Sequence, residues 1–150
     1  MFAIISRMPA LTRVAIYRHL IATGRAPSVG EIAEQLGRDV TEVERDYTEL
    51  AESRVITFAP STRSIWMAHP FSARPTPYRV ESGGISYWAN CAWDALGIAA
   101  MLGRDTRCVC RCPDCADSID LSVSGGAVRS DAVIHFVVPA WRFWENVAYT

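Results

Sequence analysis

Apolar residues recur at helical spacing over roughly the first third of the chain and then give way to short alternating runs. Leu11, Val14, Ala15, Leu20 and Ile21 lie close to one helical stripe across residues 11–23, and Gly24 supplies a stop. Ser28 with Glu31 has the spacing of a capping box that opens a helix to Leu36, ended by Gly37. Thr41 with Glu44 reads as a second box, opening a helix to about Ser53. Residues 55–58 and 64–67, either side of a Pro60-containing turn, predict a β-hairpin.

Three helices followed by a hairpin is the order of a winged helix-turn-helix, assigned here to residues 1–68. Residues 69–80 carry Pro70, Pro75 and Pro77 and read as an extended connector. Strands are expected at about 78–81 and 85–88, a helix at about 90–102, and strands at about 106–111, 117–123 and 132–138. A turn falls at Gly125-Gly126, and a short aromatic turn of helix follows Pro139. The expected class is α+β, with residues 81–150 as a small mixed α/β domain whose sheet is mostly antiparallel.

The chain has 150 residues, half of them apolar, 21% charged and a net charge of −1. That is the composition of an ordinary globular protein, and it gives no electrostatic reason to bind nucleic acid or an anionic membrane. All the basic residues are Arg, which reads as codon bias. No run approaches the roughly 20 apolar residues that span a bilayer, and the N-terminus lacks a signal-peptide pattern, so a cytoplasmic location is expected. The five cysteines are odd in number and four of them cluster, which suits reduced thiols better than a disulfide framework.

The helix that would enter a DNA groove carries Glu42, Glu44, Asp46, Glu49 and Glu52 against Arg45 and Arg54. Such a face repels phosphates, so DNA is not an expected partner, and a metal-responsive regulator is the weakest of the functional readings.

The chemistry concentrates at Cys91-Ala-Trp-Asp94, where a strand-like run meets the helix at about 90–102. Positions i and i+3 share a helix face, so the thiol and the carboxyl can point into one volume. A helix N-terminus lowers a thiol pKa, and desolvation by Trp88, Trp93 and Leu96 would let Asp94 keep a proton for delivery. Spacing alone is a weak signal, since a buried cysteine beside a helix-capping aspartate gives the same pattern. Trp88 and Trp93 are candidates to line an apolar pocket.

Cys91-Ala-Trp-Asp94-Ala-Leu96 resembles the active-site segment of the organomercurial (alkylmercury) lyases, the MerB-like family. The resemblance extends in order through the helix-turn-helix, Ile65-Trp-Met-Ala-His-Pro-Phe-Ser72, Pro75-Thr-Pro-Tyr-Arg-Val80, Cys112-Pro-Asp-Cys115, His135-Phe-Val-Val-Pro139 and Trp141-Arg-Phe-Trp144. It implies protonolytic cleavage of carbon–mercury bonds, with Cys91 as capturing thiolate and mercury ligand and Asp94 as proton donor. It implies no organic cofactor. Hg(II) would remain as bound product until cellular thiols or mercuric reductase remove it. The substrate would be a small organomercurial or another soft electrophile. The family's second catalytic cysteine follows a stretch resembling Tyr149-Thr150, where this sequence stops, so either a C-terminal truncation or the loss of that thiol is expected.

Cys108, Cys110, Cys112 and Cys115 form a C-x-C-x-C-x-x-C cluster. Four thiols suit a soft or tetrahedral metal such as zinc, but a second knuckle at the usual spacing is missing. Reduced, non-liganding thiols and a substitute partner for Cys91 are the other readings. A non-catalytic soft-metal or organometal binding protein is therefore the main alternative to an enzyme. His19, His69 and His135 are read as packing or structural hydrogen-bonding residues.

Overall fold

The computed structural model describes residues 7–147. Helix α1 (Arg7–Thr23) buries Ala15, Ile16 and Leu20 and leaves Leu11 and Val14 exposed, so its core stripe is centred on Ile16. Gly24 ends it at φ +72°, and a Cβ there would lie 2.2 Å from the carbonyl oxygen of Ser86. Only glycine allows that close approach in the left-handed region.

Helix α2 (Val29–Leu36) carries the expected capping box, with the Ser28 hydroxyl and the Glu31 carboxylate reciprocally bonded, and stops at the left-handed Gly37. Helix α3 (Val40–Glu52) starts one residue before the expected box. Its N-cap is Asp39, whose carboxylate accepts from the Thr41 amide at 2.8 Å. Asp46 is buried with Thr12, and its carboxylate takes hydrogen bonds from the Thr12 hydroxyl and the Arg38 guanidinium, both at 2.5 Å. One of the acids on the third helix is therefore an internal tie between helices rather than part of its surface.

The expected hairpin forms from β1 (Thr57–Phe58) and β2 (Ile65–Ala68). It does not stand apart. Residues 71–72, inside the expected connector, form β3 (Phe71–Ser72), which pairs with β2 on one side and with β5 (Ile85–Ala89) on the other. With β4 (Arg79–Ser82) as the far edge, the result is one antiparallel five-stranded sheet in the order β1-β2-β3-β5-β4. The core is likewise shared, running from Ile16, Ile32 and Tyr47 through Phe71 and Tyr87 to Ile98 and Cys108. Phe71 and Tyr87 pack at 5.7 Å between ring centroids. The Tyr87 hydroxyl donates to the Ile21 carbonyl at 2.8 Å, tying α1 to the sheet.

Helix α4 (Ala92–Leu102) follows β5 directly and packs back on β4 and β5. Two small hairpins come next, β6 (Val109–Arg111) with β7 (Ser118–Asp120) and β8 (Val123–Ser124) with β9 (Ala127–Val128). The strand expected at 132–138 is not formed. That segment has no ladder partner among the described residues and is largely exposed, and its apolar residues line cavities instead. A 3-10 turn at Ala140–Glu145 closes the described chain. Among the described residues no helix is long and apolar enough to cross a membrane.

Candidate active site

The site is built where β5 hands over to α4. Cys91 is the N-cap, in extended backbone geometry at φ −150°, and its Sγ accepts from the Asp94 amide at 3.5 Å. A sulfur thus takes the place that Ser, Thr or Asp oxygen usually holds at a helix start. Asp94 stands on the first turn with its side chain 17% exposed. Its Oδ2 accepts from Asn90 Nδ2 at 2.9 Å and lies 3.8 Å from His69 Nδ1. Asn90 precedes the Cys91 N-cap, and its amide reaches Asp94 four residues on.

His69 lies in the turn between β2 and β3, the strand that pairs with β5, and is fixed by its surroundings. The Tyr17 hydroxyl donates to its carbonyl at 2.8 Å, Trp144 meets its ring edge-on at 5.4 Å, and Asn90 Nδ2 also donates to the Pro70 carbonyl at 3.2 Å. Pro70 sits against Gly97 so closely that a Cβ there would be 3.2 Å from the proline ring. Two buried polar atoms at this corner, His69 Nε2 and Asn90 Oδ1, have no hydrogen-bond partner among the described residues.

Cys91, Asp94, Asn90 and His69 line one cavity of about 180 Å³, whose other walls include Met67, Trp93, Phe136, Phe143 and Trp144. Trp93 meets Phe136 at 6.0 Å and Phe136 meets Phe143 at 5.5 Å. The cavity therefore has an apolar wall opposite a thiol, a carboxyl and an imidazole, an arrangement suited to a small apolar group carried on a thiophilic atom.

Burial raises the Cys91 thiol above its ordinary pKa, and the Asp94 charge adds to this. The amides of Asp94 and Trp93 pull the other way but do not win. This reverses the sequence expectation, in which the helix start alone was weighed. The resting form is a thiol with a proton to give.

Of the two tryptophans expected to line a pocket, Trp93 does and Trp88 does not. Along β5 the side chains alternate, so buried Tyr87 and Ala89 share the face opposite Trp88, which lies across from Ser72 and Arg79. His69 was read from sequence as a structural residue, and Asn90 was not singled out. The usable signal for Asn90 was its i, i+4 spacing to Asp94, whereas the approach of His69 is a long-range consequence of the sheet.

The four remaining cysteines do not meet as one set. Cys108 and Cys110 are buried at and beside β6, and burial pushes Cys108 up to about 11. Cys112 and Cys115 lie beyond it on an outer turn. There the Cys112 sulfur accepts from the amides of Cys115 and Asp114, which holds its pKa below the ordinary value. Among the described residues no three His, Cys, Asp or Glu side chains converge as a metal site. Zinc at these four cysteines is one of three readings of the cluster, beside non-liganding thiols and a substitute partner for Cys91.

A family model described as alkylmercury lyase matches residues 71–150, and a second, described as HVO_A0114, matches residues 12–73. The alkylmercury lyase of Staphylococcus epidermidis is 27% identical over 124 residues, covering 80% of this chain and 55% of its own length. A crystal structure of the mercury-bound form of MerB2 superposes with a TM-score of 0.67 at 22% identity, covering 82% of this chain and 59% of that one. At that identity the likeness is one of fold. The chain spans somewhat more than half the length of these relatives.

Proposed function

Because this chain belongs to the alkylmercury lyase family, we propose that Cys91 and Asp94 cleave the carbon–mercury bond of a small organomercurial by protonolysis. The observation that carries this reading is the placement of the Cys91 thiol and the Asp94 carboxyl on one cavity with an apolar wall. The Cys91 sulfur attacks mercury and displaces its anionic ligand, and the thiol proton passes to Asp94. Asp94 then protonates the carbon, the carbon–mercury bonding pair forms the new C–H bond, and the hydrocarbon leaves. A low-molecular-weight thiolate takes the vacated position on Hg(II). Substrate, thiol and thiolate thus become hydrocarbon, a Cys91–Hg–thiolate adduct and the displaced anion.

The raised Cys91 pKa supports the first step, because a resting thiol brings the proton that the carbon receives. Asn90 orients the carboxylate, and His69 stands where it can share or restore the proton. Five unpaired cysteines support a reducing, cytoplasmic setting, with cellular thiols or mercuric reductase as acceptors of the metal.

A second reading, capture without turnover, is favoured by one observation. Among the described residues no other cysteine lines the Cys91 cavity. Incubation with phenylmercuric acetate and excess glutathione, with benzene quantified by gas chromatography, separates the two. Lyase action predicts catalytic benzene release by the wild type, and an Asp94→Ala variant that binds mercury but releases none. Stoichiometric binding through Cys91 with no benzene from the wild type would overturn the enzyme reading and leave capture.

A further inference from the structure

We propose that Cys112 and Cys115 form a second soft-metal site, a two-thiolate clamp for Hg(II) that receives the metal from Cys91. The turn after β6 is closed by its own backbone. The Cys112 amide donates to the Asp117 carbonyl at 2.8 Å, and the Ala116 amide donates back to the Cys112 carbonyl at 2.9 Å. Arg111 Nη1 adds a bond to the Ala116 carbonyl at 3.0 Å, bracing Ala116 at φ +61°. This keeps Cys112 and Cys115 on one short closed turn. Cys115 is exposed and Cys112 half-buried, so the pair is open to a ligand, unlike the buried Cys108 and Cys110.

Among the described residues no three His, Cys, Asp or Glu side chains group here, so the pair is a poor home for zinc, which wants four ligands. Its two sulfurs suit a soft d¹⁰ cation that prefers two thiolates in line, which is the coordination habit of Hg(II).

The position of Cys112 links it to the surroundings of Cys91. Cys112 lines a cavity of about 290 Å³ together with Tyr78, Cys110, His135 and Ala92, the last being the neighbour of Cys91. Residues 135–137 form the partition between the two cavities, with Phe136 lining the Cys91 side and His135 and Val137 the other. Transfer is thiolate exchange. The Cys112 thiolate attacks mercury on Cys91 and releases the Cys91 thiolate. Cys115 then displaces the external thiolate, which leaves carrying the Cys115 proton. No oxidation state changes. The handover rests on the proposed function, whereas the clamp itself does not, and neither measurement below depends on carbon–mercury cleavage.

The test uses HgCl₂ on the full chain, followed by iodoacetamide footprinting and peptide mass spectrometry. In Cys91→Ser, one equivalent is expected to protect both Cys112 and Cys115. Removing Cys115 as well, by Cys115→Ser, is expected to weaken binding roughly a hundredfold or more, as a second tethered ligand is lost. In the unsubstituted chain, one equivalent is expected to protect the pair and leave Cys91 open to alkylation. Protection of Cys108 or Cys110 in place of the pair, or unchanged affinity on losing Cys115, would overturn the clamp. Mercury resting on Cys91 in the unsubstituted chain, with the pair still alkylated, would overturn the handover, and this last reading needs no variant to fold.

Discussion

Replacing Asp94 with Asn should move the two halves of the chemistry in opposite directions. The Asp94 charge is the second cause, after burial, of the raised Cys91 thiol, so its removal makes the thiolate easier to form. The same change removes the acid proposed to protonate carbon. Helix neighbours at i and i+3 have Cβ atoms about 5–6 Å apart. At that range a unit charge pair interacts by about 3 kcal/mol at an effective dielectric of about 20, and by about 0.7 kcal/mol in bulk water. Cys91 is half-buried, so about 1 kcal/mol applies, or roughly fivefold more thiolate near neutral pH. Asn also keeps an oxygen at position 94 for the Asn90 amide to reach. Alkylation of Cys91 by iodoacetamide, followed by mass spectrometry, should therefore run about fivefold faster than in the wild type. Benzene release from phenylmercuric acetate should fall by about 10²–10⁴, the usual worth of a positioned general acid. Slower or unchanged alkylation in a natively folded variant would refute the electrostatic coupling. Retained benzene release would show that the proton comes from another group.

Three further outcomes concern the scaffold. Asp46→Ala leaves the Arg38 guanidinium and the Thr12 hydroxyl without their buried acceptor, and should cost about 3–5 kcal/mol in urea denaturation; a loss under about 1 kcal/mol would contradict the burial described. Gly24→Ala combines a left-handed backbone with a Cβ 2.2 Å from the Ser86 carbonyl oxygen, and should cost at least about 2 kcal/mol by thermal unfolding. Stability should also decline with alkali. The folded Cys108 pKa, about 11, lies above that of an unfolded thiol, so its contribution is full below the unfolded value and is lost as pH rises toward the folded one. Urea midpoints across that interval should fall in the wild type and fall less steeply in Cys108→Ala, since the raised thiols of Cys91 and Cys110 remain.

Much of this fold is written locally. The Ser28–Glu31 box and the glycines at 24, 37 and 103 end or start helices because they satisfy orphan amides and carbonyls within a few residues. The same holds for the pairing of residues 79–82 with 85–89, set by the two glycines between them. The misreadings arise where a local signal meets long-range competition. Asp39 displaced Thr41 as the cap because its carboxylate reaches the Thr41 amide first. Residues 71–72 read as connector because two residues carry no period, yet they complete the sheet. Residues 132–138 alternate like a strand but find no partner edge. At the site, Cys91 and Asp94 are one turn apart and visible in sequence, whereas His69 reaches Asp94 across 25 positions through the strand order. The thiol shift also depended on burial, which spacing does not encode.

The shared sheet bears on how this protein can be cut and recombined. Dividing it at residues 69–80 looks natural in sequence, yet a fragment beginning there would carry β3 as a bare edge and lose the covering of Phe71 and Tyr87 by α1. The Tyr17 clasp on His69 would go with it. A chimera that swaps the helical module for another must therefore reproduce Tyr17, Ile21 and Gly24 as a matched surface. Without them the C-terminal half becomes an aggregation-prone strand edge with an unanchored imidazole.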